Sequence, residues 1–229
     1  MRRFWKAVTL EPSDYGYAVR LDGRPVKTPT GNLLALPSQK MADAVVAEWE
    51  AVEKSVNPVL MPNTGFANAA IDRIAPDHDG FAAAIAAYGE TDNFCYRAAA
   101  GEALADRQAQ IWDPWLDWAR GKGIALEPTT GVGHKAQAEA SLKRAEALAL
   151  ELNDFCLTGL VAATALLGSA VLALAVVCGK LTGEEAYALA TLDERFQKEQ
   201  WGVDAEAAAR TAAHQAEARL LEMWFKILA

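Results

Sequence analysis

Groups that usually carry chemistry are scarce in this sequence. Its three cysteines, Cys95, Cys156 and Cys178, are widely spaced among apolar residues without a CxxC pair, which reads as buried thiols in a reducing compartment. Its three histidines, His78, His134 and His214, stand far apart, without HExxH or Cys/His ligand spacing, so no metal is expected. A phosphate-cradling loop needs GxxxxGK followed by Ser or Thr, yet neither Gly121-Lys122 nor Gly179-Lys180 is so followed. Gly131 and Gly133 lack the third glycine and the preceding strand of a dinucleotide loop. With no GxSxG elbow either, no local signature calls for catalysis, and neither an enzyme nor a cofactor is expected.

Positive charge is also short. Lys and Arg total 22 against 30 Asp and Glu, so the net charge of −8 repels a phosphate backbone on average, and nucleic acid is not an expected partner. The opening MRRFWKAVTL carries two arginines, but Lys6 and Glu11 interrupt the apolar run that a signal peptide needs. The expected compartment is the bacterial cytoplasm, or the mitochondrial matrix for a processed organellar protein. One segment points elsewhere. From Phe155 to Gly179 no residue is charged, a run longer than the ~20 residues that cross a bilayer. Its Ala-rich composition, the interior Thr158, Gly159 and Thr164, and the missing Trp/Tyr belt favour a buried core instead. Gly168-Ser169 predicts a bend between two shorter helices wrapped by amphipathic neighbours, with no stable membrane insertion; a membrane-associated bundle is the rival reading.

What is abundant is ordinary globular material, 52% hydrophobic and 23% charged, in a chain long enough to bury roughly 70% of its unfolded surface. Strand signals concentrate in the first forty residues. A run from Phe4 to Leu10 leads to a turn at Ser13-Asp14-Tyr15-Gly16, after which Tyr17, Val19 and Leu21 alternate with Ala18 and Arg20 up to the Asp22-Gly23 hairpin signal. Pro25 pushes the next strand to an edge, and Leu33 to Leu36 supplies a further short one. Ser38 caps a helix whose Met41, Val45, Trp49 and Val52 form one apolar stripe that can cover the sheet, and Phe66, Ala70 and Ile74 share the next helical face.

Beyond about residue 78 the punctuation is helical. Asp113-Pro114 predicts a helix start, Gly121 and Gly123 its end, and a looser patch from Glu127 to Gly133 precedes a helix from about Ala136. Thr182 to Glu185 forms a capping box, and Leu220, Trp224 and Leu228 repeat at core-facing spacing. The expected fold is α+β: a small N-terminal antiparallel sheet domain with a covering helix, residues 1–78, then a larger all-helical domain, residues 79–229, around a central apolar helix or helix pair.

Four polar or aromatic groups invite a functional reading. Thr91-Asp92 with Tyr96-Arg97, and Asp72-Arg73, read first as caps and structural ion pairs. In Trp112 to Ala119, WDPWLDWA, at least two of the three tryptophans are expected in the core. Leu192 to Arg210 alternates carboxylates with bulky aromatics around a break at Gly202, which suits both helix capping and an acidic rim around an aromatic anchor for another protein.

The chain resembles the assembly chaperones of the ATP synthase F(1) sector, the ATP synthase mitochondrial assembly factor 2 family. The resemblance runs through LDGRPVKTP at Leu21–Pro29, EWE at Glu48–Glu50, ANAAIDR at Ala67–Arg73, TDNFCYRA at Thr91–Ala98, WDPWLDWA, GSAVLALA at Gly168–Ala175, and LDERFQKEQWGVDAEA from Leu192. It implies a two-domain protein without enzymatic activity that binds the unassembled alpha subunit and shields its beta-facing surface until beta displaces it, with no nucleotide hydrolysed. A monomer is expected. On that reading Trp201 helps build the client contact, with Glu194, Asp204 and Glu206 as polar recognition groups. The runner-up is a small-molecule enzyme whose Asp92, Arg97 and Glu194 converge between the two domains.

Overall fold

The structure, a computed structural model of the chain, describes every residue except Val132, Val203 and Asp204. The chain forms two compact units. The first comprises Met1–His78 together with two later segments, Asn153–Gly159 and Met223–Ala229; the second comprises Asp79–Leu152 and Leu160–Glu222.

The first unit is built on a small antiparallel sheet. Strands β1 (Val8–Ser13) and β2 (Gly16–Leu21) form the expected hairpin, with Val8 opposite Leu21 and Ser13 opposite Gly16. Two further strands of two residues each, β3 (Arg24–Pro25) and β4 (Ala35–Leu36), both pair with β2, so β2 is central and Pro25 lies on the periphery, where its missing N–H breaks no ladder. Helix α1 (Gln39–Glu50) starts where Ser38 accepts the Met41 amide, and it buries Met41, Ala42, Val45 and Trp49. Trp49 meets Trp5 edge to face at 5.4 Å, and Val19, Leu34 and Leu36 are fully enclosed beside them.

Helix α2 (Pro62–Ala69) has no cap of its own. Glu48 of α1 supplies one, its carboxylate accepting from the Asn63 and Thr64 amides at 2.7 and 2.8 Å. The helix continues into a π-turn at Ala70–Ile74 and then a 3-10 turn at Ala75–Asp77, which takes Pro76 in its first turn, where a missing N–H costs little. That turn directs Asp72 at the preceding loop, where it accepts from Thr28 Oγ1 at 2.6 Å, Asn32 Nδ2 at 3.0 Å and the Thr30 amide at 3.1 Å.

The second unit is helical apart from one short parallel pair. It carries most of α3 (His78–Glu90), strand β5 (Tyr96–Arg97), α4 (Ala103–Gly121), strand β6 (Thr129–Thr130) beside β5, and α5 (Glu139–Leu150). The uncharged stretch divides as its composition predicts, into α6 (Asp154–Leu167) and α7 (Ala170–Val177). Gly168 turns the chain between them at φ +62, a backbone conformation that a side chain disfavours, and Ser169 caps α7. Every residue from Ala170 to Val176 is buried, and no helix among the described residues is long and apolar enough to cross a membrane.

Helices α8 (Gly183–Ala190), α9 (Leu192–Trp201) and α10 (Ala205–Leu228) complete the chain. Two helical expectations are corrected. Helix α4 begins at Ala103 and runs through Pro114. Proline removes one backbone bond there, and the burial of Gln108, Trp112, Leu116 and Ala119 along one face offsets that loss. In α10 the buried residues are Ala218, Leu221, Trp224 and Phe225, while Leu220 and Leu228 are half-exposed, so the core stripe is rotated by about one position.

Candidate functional site

Helix α9 turns one face towards α4. Positions 192, 196 and 199 recur at four- and three-residue spacing on the face turned towards α4: Leu192 is buried, Phe196 is half-buried under the Arg107 guanidinium at 5.9 Å, and the exposed Glu199 takes a two-pronged contact from Arg107 at 2.6 and 3.0 Å. That fork holds the Glu199 carboxyl below the usual range. Beside it Gln108 donates to Asp193 at 2.8 Å while its oxygen accepts the Ala98 amide, and the Trp112 indole donates to Leu189 O at 3.0 Å. The α4 residues therefore moor α9 and the end of α8.

The opposite face follows the same spacing through Glu194, Lys198 and Trp201, of which Lys198 is half-buried and donates to Thr211 of α10. Glu194 is exposed and lies 3.8 Å from the Lys198 ammonium. Trp201, the last residue of α9, is 80% exposed, an unusual placement for the largest apolar side chain. Glu206 is exposed in the first turn of α10, where its charge suits the helix terminus. The fourth expected contact residue, Asp204, lies outside the described residues. Glu194 and Trp201 thus share a helix face, two turns apart.

Between α8, α9 and α10 lies an open groove of about 490 Å³, which sequence patterning did not reveal. Ala188, Ala208 and Ala212 line it together with Arg195 and Lys198. The close approach that forms it depends on Gly183, where a Cβ would fall 1.9 Å from Ala218 O of α10. The earliest hint in the sequence was the run of small residues along the first half of α10, which had no apolar stripe to bury.

The other singled-out groups are structural. Asp92 is fully buried, accepting from Ser169 Oγ at 2.9 Å and from the Phe94 and Val171 amides at 3.1 and 3.2 Å, so it locks the short helical turn Asn93–Cys95 onto the start of α7. Burial pushes its carboxyl up to about 6, against the lowering effect of those donors. Arg97 donates to Phe94 O at 2.7 Å and to Asp113 at 2.8 Å, and it covers the Trp112 ring. Glu194 is out on α9, so the carboxylate and arginine groups of the enzyme reading are engaged in separate tasks. Of the tryptophans in WDPWLDWA, Trp112 is buried and stacked on Phe94 at 5.1 Å, while Trp115 and Trp118 are half-buried.

The family model of the ATP12 chaperone protein matches residues 2–120. The crystal structure of Atp12 from Paracoccus denitrificans is 41% identical, superposes with a TM-score of 0.94, and is matched over 100% of this chain and 98% of its own. A second bacterial structure, from Agrobacterium tumefaciens, is 40% identical with a TM-score of 0.92, covering 100% of this chain and 86% of that one. The mitochondrial atp12 protein of Schizosaccharomyces pombe is 24% identical over 215 residues, 88% of this chain and 74% of that protein.

Proposed function

Because the chain belongs to the ATP12 chaperone family, we propose that it holds the unassembled alpha subunit of the ATP synthase F(1) sector and releases it to beta without hydrolysing nucleotide. The observation that carries the contact assignment is the 80% exposed Trp201 on the same face of α9 as Glu194. An indole left in water at a helix end, with the opposite face of that helix fixed by Arg107 and Gln108, supplies a rigid aromatic anchor, the residue type that dominates protein contacts. Carboxylates around it steer and register the partner more than they tighten it.

Reversible cover is the physical task. An alpha subunit without its neighbour exposes an apolar patch that associates with wrong partners, and a holder that beta must displace cannot bind through a wholly apolar interface. A mixed surface of Trp201, Glu194 and Glu206 meets both requirements. The holder acts as a monomer where alpha is made or imported, the bacterial cytoplasm or the mitochondrial matrix.

The test is to dilute denatured alpha subunit into buffer containing the equimolar chain, without ATP, and to follow light scattering. Suppression that beta subunit reverses is the expected result. Unchanged aggregation of alpha at equimolar ratio would overturn the assignment.

A further inference from the structure

The groove between α8, α9 and α10 has more hydrogen-bond donors than the described residues use. Arg195 brings five N–H donors; among the described residues it makes a long contact, 3.4 Å to Ala188 O, and its charge acts on the Glu199 carboxylate. Lys198 brings three more, with one directed at Thr211 Oγ1 at 3.0 Å and its charge partly met by Glu194 at 3.8 Å. The threonine hydroxyls lining the groove, Thr191 and Thr211, spend their own hydrogens on Tyr187 O and Ala207 O, each at 2.8 Å. The carboxylate on the lining, Glu184, is balanced by Arg219 at 3.4 Å.

We propose that this groove seats an acidic segment of the client protein, with Arg195 and Lys198 pairing its carboxylates and the alanine-lined wall accepting its backbone and small side chains. The assignment rests on the client-holding reading and adds the chemistry of one contact to it. At about 490 Å³ the groove is far larger than a single small anion and lies in the ~300–1,000 Å³ range of sites that enclose a ligand. A chain at net −8 repels acidic partners in general. A donor-rich groove beside Glu194 is therefore a local exception, and the alternation of cationic and anionic groups gives a partner of complementary pattern one register.

The experiment uses the full chain and a fluorescein-labelled peptide of alternating Glu and Ala, read by anisotropy, with an alternating Lys and Ala peptide as control. The acidic peptide is expected to bind and the basic one not. The R195E/K198E pair should weaken binding about ten-fold or more, while R120E/K143E, which makes the same change in net charge on α4 and α5, should leave it within about two-fold. R195Q alone, at an exposed side chain, should give a smaller loss with an unchanged melting curve. No binding, an equal loss from both charge-reversed pairs, or displacement by inorganic phosphate at matched ionic strength would overturn the proposal. Alpha aggregation measured in parallel separates the two ideas. Suppression by a chain that ignores the acidic peptide removes the groove alone, whereas peptide binding without suppression removes the client reading and leaves the groove's charge preference standing.

Discussion

Replacing Asp92 tests the core of the second unit in a way that no surface change can. Its two oxygens receive Ser169 Oγ, the Phe94 amide and the Val171 amide in a fully buried setting. Asp92→Ala strands those donors, and each buried donor left unpaired costs about 1–3 kcal/mol. For the three donors the expected loss is roughly 3–9 kcal/mol, comparable with much of the ~5–15 kcal/mol that stabilises an ordinary domain. Asp92→Asn separates charge from shape. Because burial raises the folded carboxyl from its ordinary 3.8 to about 6, the native state holds a proton that the unfolded chain gives up between those values. The stabilisation from protonation is present below pH 3.8 and is lost as pH rises through 6, about two pH units at ~1.4 kcal/mol each, or ~3 kcal/mol. Asparagine cannot ionise. Urea unfolding of wild type and Asp92→Asn, followed by circular dichroism between pH 4 and 7, should show the wild type losing ground to the variant as pH rises. Hydrogen exchange in Thr91–Cys95 should report the same trend locally. A wild-type-minus-variant difference that stays constant across this range, or an alanine variant costing under ~1 kcal/mol, would refute the reasoning.

Trp201→Ala should leave the melting curve within the equivalent of ~0.5 kcal/mol, since the ring is 80% exposed, yet require several-fold more chain to suppress alpha aggregation in a scattering titration. Gly168→Ala forces a Cβ into the left-handed region, 2.3 Å from Asn93 Nδ2, and should cost roughly 2–4 kcal/mol in denaturant unfolding. For Asp72, burial works to raise the carboxyl, but hydrogen bonds from Thr28, Thr30 and Asn32 outweigh it and bring it down to about 2. Its contribution is therefore present above pH 3.8 and lost as pH falls towards 2; discounted for partial exposure, wild type should exceed Asp72→Asn by about 1 kcal/mol at pH 5 and by nothing near pH 2 in thermal melts.

Local chemistry was written into the sequence wherever one residue type is needed for one backbone task. Asp22-Gly23 turns β2 into β3, Ser38 and Ser169 cap α1 and α7, and Thr182 with Glu185 closes both halves of a capping box. The break at Gly168 was legible because an uncharged helix has few other reasons to carry Gly-Ser at its centre. The candidate site was less legible. Leu192 to Trp201 announced carboxylates and aromatics, but their periodicity alone does not say which face is inward; Arg107 and Gln108, some 85 or more positions earlier in the chain, decide that.

The sequence by itself determined the hairpin, the caps, the divided apolar stretch and the family, since these depend on neighbours along the chain or on the order of motifs. Only the tertiary structure decided that α4 runs unbroken through Pro114, that Asn153–Gly159 and Met223–Ala229 join the first unit, that Asp92 is spent as a buried cap, and that Trp201 stands in water. The reason is that burial is a property of the packed surroundings: the same indole is core at Trp112 and anchor at Trp201, and the difference between them is what the rest of the chain places against each.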